Sequence, residues 1–148
     1  MNKIWRFTKT RWLLLIVLSL LCWTSTGDAN YNAVKSEDKI MYALFENMFT
    51  EPIEVLYLLT NDMRGYKLTS NYENIVLFRM WELEKTLKRD GYKISDIIVI
   101  IHNHTTQAYF SRRDIISYKV FKSNGFEGKF YIYVSRNRTI YELAENLR

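Results

Sequence analysis

Five consecutive aliphatic residues, Ile97-Ile-Val-Ile-Ile101, constrain the fold of this chain more than any other feature. Side chains of a strand alternate between its two faces, so an unbroken apolar run of this kind is a strand covered on both. Helices on either side of a sheet provide that cover, which is the α/β arrangement.

The other segments fit around this strand. Residues 36–49 read as a helix with Ile40, Ala43, Leu44 and Met48 on one side, Ser36 as its cap, and Glu37 and Asp38 at its positive end. Residues 53–59 read as a buried strand, because Pro52 is tolerated at a strand's start but not in its middle. Turn residues at 61–65 lead to a second strand at 66–69, making a hairpin. The clearest helix is 73–90, where Ile75, Phe78, Leu83 and Leu87 interleave with charged residues and Gly91 supplies the stop. A loop at 105–110 precedes a helix over 111–122, closed by Asn124-Gly125, and 129–134 is a further strand. Residues 139–143 form either a last short strand or the start of a terminal helix. This order predicts a single α/β domain over 36–148, a sandwich in which one mixed sheet is flanked by helices.

Residues 1–29 carry a different pattern. Lys3, Arg6, Lys9 and Arg11 precede a nearly unbroken apolar run from Trp12 to Trp23, and small residues follow at Ser25-Thr-Gly27 and Gly27-Asp-Ala29. That is the order of a secretory signal peptide, and the run is short for a membrane span of about 20 residues. Secretion or periplasmic export is expected, with an uncleaved N-terminal anchor as the alternative. Those four basic residues account for most of the net charge of +5, so the charge gives no reason to expect a nucleic-acid partner. The one cysteine, Cys22, also lies there. Without thiols the rest of the chain has neither disulfides nor a thiolate metal site.

Both histidines of the chain occur together, as His102-Asn-His104, directly after the aliphatic strand. Strand residues i and i+2 face the same way, roughly 7 Å apart at Cα, so two imidazoles can converge on one zinc ion with bonds near 2.0–2.1 Å. Asp114, one turn into the following helix, is a candidate third ligand. Two plainer readings stand beside this one. Paired histidines can simply end a strand at the surface, and Ser111-Arg-Arg-Asp114 also fits an N-capping box.

Taken together, these residues resemble the JAB/MPN (JAMM) metalloprotease superfamily, in particular its bacterial RadC-like branch. That pattern has His-x-His-Pro, a loop and Ser-x-x-Asp, with a glutamate leading an upstream apolar strand. Here the string runs from His102-Asn-His104 to Ser111-Arg-Arg-Asp114, and Glu51-Pro-Ile-Glu-Val-Leu-Tyr-Leu58 supplies the upstream strand. Thr105 stands where the pattern has proline, and the loop holds six residues rather than seven. The resemblance implies an MPN-like fold and a zinc ion held by His102, His104 and Asp114. It further implies Glu51 as general base, with Glu54 as its rival, and Ser111 assisting the developing oxyanion. The activity implied is hydrolysis of a peptide or isopeptide bond in a peptide or protein substrate. The alternative is a catalytically inactive MPN-like module acting through protein contacts.

Overall fold

The computed structural model describes residues 31–70 and 76–145. The expected signal peptide lies outside the described residues. In chain order the elements are β1 (Tyr31–Lys35), α1 (Lys39–Phe45), β2 (Val55–Thr60), β3 (Gly65–Thr69), α2 (Met80–Arg89), β4 (Ile97–His104), α3 (Arg112–Ser123), β5 (Lys129–Val134) and β6 (Thr139–Glu145), with a single 3-10 turn at Ile94–Asp96.

The aliphatic run does form the interior of the sheet. Six strands lie in the order β1-β6-β5-β4-β2-β3. β4 pairs in parallel with β5 and antiparallel with β2, and the remaining pairs are antiparallel. The parallel pair requires a crossover, which α3 provides. Helices cover both faces. Leu58, Ile100 and Phe130 pack with Leu83 and Leu87 of α2 and Phe121 of α3 on one face. Tyr57, Ile101, Tyr131 and Tyr133 pack with Met41 and Phe45 of α1 on the other. Burying one such aliphatic or phenyl side chain contributes about 1.5–3 kcal/mol, so the two cores supply most of the driving force. The domain is therefore α/β around a mixed sheet, as the alternation of elements predicts.

Several boundaries differ from the sequence reading. The sheet begins at Tyr31, ahead of the boundary expected at 36, because β1 pairs along β6 from Tyr31↔Glu145 to Lys35↔Tyr141. That pairing also settles 139–143 as strand. α1 is capped by Asp38 rather than Ser36, whose hydroxyl instead accepts the Asp38 amide. The second helix starts at Met80, residues 76–79 ahead of it are not helical, and the expected helical residues 73–75 lie outside the described residues. Arg79 is extended, and Phe78 turns inward onto Phe121 with ring centroids 5.5 Å apart.

Two glycines shape the crossover. Gly125 follows α3 at φ +95°, a left-handed conformation that ends the helix. Its N–H bonds the Lys122 carbonyl, while that of Phe126 bonds Phe121, closing a Schellman motif. Gly128 then passes so close to β4 that a Cβ there would lie 2.3 Å from the Ile98 carbonyl oxygen.

Candidate metal centre

The last residues of β4 carry the two histidines. His102 lies opposite Leu56 of β2 and Ile132 of β5, and is 1% exposed. Strand alternation sends His102 and His104 to the same face as Ile100. Their Nε2 atoms end 3.1 Å apart. The His104 Nδ1 lies 3.2 Å from the Gln107 carbonyl. A carbonyl only accepts, so Nδ1 donates there and Nε2 is the nitrogen turned to His102 and Asp114. The Nδ1 of His102 is buried with no partner among the described residues.

The start of α3 brings the carboxylate. Ser111 is the N-cap, its Oγ accepting the Asp114 amide at 3.3 Å, while Asp114 Oδ2 accepts the Ser111 amide at 2.6 Å. The capping box is thus real, and it engages Oδ2. Asp114 Oδ1 remains free on that side and lies 3.2 Å from His102 Nε2. Oδ2 is 3.5 Å from His104 Nε2. The six-residue loop, without the proline, still returns Asp114 to the histidines. Two bonds fix its start, from the Ser135 amide to the His104 carbonyl and from the Arg136 amide to that of Thr105.

The upstream glutamate that reaches this group is Glu54, not Glu51. One oxygen or nitrogen from each of Glu54, His102, His104 and Asp114 lies within 4.8 Å of the others. Glu51 is exposed and pairs with Lys67 of β3. The expectation for Glu51 comes from the register of the family resemblance, whereas the strand starts only at Val55, after a bend at residues 51–53 that leaves Glu54 next to it.

Charge in the group is tightly linked. Burial raises the Asp114 carboxyl, but hydrogen bonds from His102 and His104, and then from Ser111, outweigh it and hold the group well below the usual carboxylate range. His104 shows the converse. Burial lowers it, yet the hydrogen bond and charge of Asp114 prevail and leave it raised. Glu54 is raised by burial, with the nearby histidines partly offsetting the effect.

The donor set fits a metal ion. Two imidazole lone pairs cannot face each other at 3.1 Å without a proton or cation between them. In a tetrahedral site with bonds near 2.0–2.1 Å, neighbouring ligand atoms are about 3.3–3.4 Å apart. The separations of 3.1 and 3.2 Å from His102 Nε2 to its two neighbours match that edge. A cleft of about 680 Å³ opens over the group, with Arg112 and Arg113 on its rim. A smaller, more apolar pocket of about 290 Å³ adjoins it, lined by Leu77, Ile116 and Phe130 and sharing Glu54 and Asp114.

Comparisons with protein-family models, with curated proteins and with solved structures find no match.

Proposed function

We propose that this chain is a zinc-dependent hydrolase that cleaves a peptide or isopeptide bond. His102, His104 and Asp114 hold the metal. The reading rests on one observation above all: two imidazole nitrogens and the Asp114 carboxylate, from two separate elements, converge to within 3.1–3.5 Å of one another. The resemblance of the sequence to the JAB/MPN superfamily points to the same residues. Zinc bound there would supply a Lewis acid and lower the pKa of a coordinated water to about 7.

The chain's own groups do the rest. Glu54 is the general base, half-buried beside the ligands and with its pKa raised towards the range useful for moving a proton. It replaces Glu51 in that role. The Ser111 hydroxyl accepts the Asp114 amide and keeps its own proton, which can be offered to an oxyanion in the cleft. A cleft open at the polar side and continued by an apolar pocket has room for a chain on both sides of a scissile bond. Export of the enzyme rests on the leader pattern in residues 1–29.

A second reading is favoured by the closeness of Glu54 to all three ligands. If Glu54 is itself a fourth ligand, the shell is closed and the site is structural, as in a module that acts by contact. Incubating a peptide library with wild type, Glu54→Gln and Glu51→Gln and sequencing the new termini separates the two. The hydrolase reading expects new termini with wild type and Glu51→Gln, and a loss of about 10² or more with Glu54→Gln while zinc is retained. Retained cleavage by Glu54→Gln, or loss of zinc with that substitution and no cleavage by wild type, contradicts it.

A further inference from the structure

Asn103 stands between the two histidines in sequence, and strand alternation turns it to the other face of β4. Its amide reaches the approach to β2. Oδ1 accepts the Val55 N–H at 2.7 Å and Nδ2 donates to the Ile53 carbonyl at 3.1 Å. Those two backbone groups belong to the peptide units immediately before and after the Glu54 Cα. Asn103 therefore holds both peptide planes that set the direction of the Glu54 side chain. The ladder between β2 and β4 does not do this, because it begins only at Leu56 opposite His102, and the β2–β3 ladder begins at Val55. A bend precedes Glu54, so the segment has no strand geometry of its own.

We propose that Asn103 is a positioning residue that aims Glu54 at the metal centre. The proposal rests on the metal-centre reading above. Its logic is that one three-residue stretch of β4 places two ligands on one face and, from the other, fixes the acid that must meet them. Asn103 is 9% exposed, and its bond to the Val55 amide is buried, which strengthens that bond. A residue of different shape between the histidines would leave the ligands in place and let Glu54 swing away.

The test uses Co²⁺ as the probe metal in the full chain, read by its visible absorption, which follows the groups around the ion. Wild type is compared with Glu54→Gln, Asn103→Ala and the double variant. Asn103→Ala is expected to keep one Co²⁺ per chain, with affinity reduced about 10-fold, and to alter the spectrum as Glu54→Gln does. The double variant should match Glu54→Gln alone, a coincidence that a merely structural role for Asn103 does not produce. Amide exchange at Val55 should also accelerate by about tenfold or more. Should Asn103→Ala fail to fold, Asn103→Asp carries the same comparison, since it keeps the acceptor for Val55 and loses the donor to Ile53. A wild-type spectrum in the Asn103 variant, or an additive change in the double variant, overturns the positioning role alone. Wild type that takes up no Co²⁺ overturns the metal centre, and the positioning role with it.

Discussion

Ser111 and Asp114 hold one another across the first turn of α3, each side chain bonded to the other's backbone amide. The two halves are not equivalent. The Ser111 amide fixes Asp114 Oδ2 whatever side chain residue 111 carries, whereas the Asp114 amide depends on the Ser111 hydroxyl. Ser111→Ala should therefore cost about 1 kcal/mol as a lost cap and lower Tm by about 4 °C, while zinc stoichiometry is unchanged. Thermal melts beside metal analysis check this. Loss of zinc in Ser111→Ala would mean that the hydroxyl, not the amide, orients the carboxylate.

Gly128 passes close to the Ile98 carbonyl of the site strand, where a Cβ would lie 2.3 Å from the oxygen. A methyl group at residue 128 meets backbone rather than a flexible side chain, so β4 and β5 must part. Gly128→Ala is expected to destabilise the domain by about 1–3 kcal/mol, as overpacking does. Denaturant unfolding measures it, and a variant as stable as wild type would show that the β5 entry adjusts freely.

Asp62 gives a pH dependence with a defined sign. Hydrogen bonds from Thr60 and then Tyr92 hold its carboxyl below the usual range. A depressed folded pKa gives stability that is present above the unfolded value of about 3.9 and is lost as pH falls through the folded value. The Tm difference between wild type and Asp62→Asn should thus be largest above about pH 5 and shrink towards about pH 2. A gap that is constant or widens in acid contradicts the assignment.

Much of this was legible in the sequence because it depends on local pattern. The aliphatic run of β4, the Gly125 stop and the Ser111–Asp114 box are each set by neighbours within a few residues. What was hidden depends on distant pairing. β1 is a half-exposed edge strand, Tyr-Asn-Ala-Val-Lys, with little apolar signal, and only β6 makes it a strand. The backbone beside Glu54 is held by Asn103, which is 50 residues from Ile53. A spacer between two histidines gives no local hint of that reach. The register of the family pattern selects Glu51, which lies in a bend at residues 51–53 that the sequence does not show.

The central claim is that His102, His104 and Asp114 form one metal centre. Elemental analysis of purified protein after zinc reconstitution and removal of excess metal tests it most directly. The account predicts about one zinc per chain in wild type, and loss of stoichiometric zinc in His102→Ala, His104→Ala and Asp114→Asn. No zinc in folded wild type, or a full complement in any of the three variants, would contradict it.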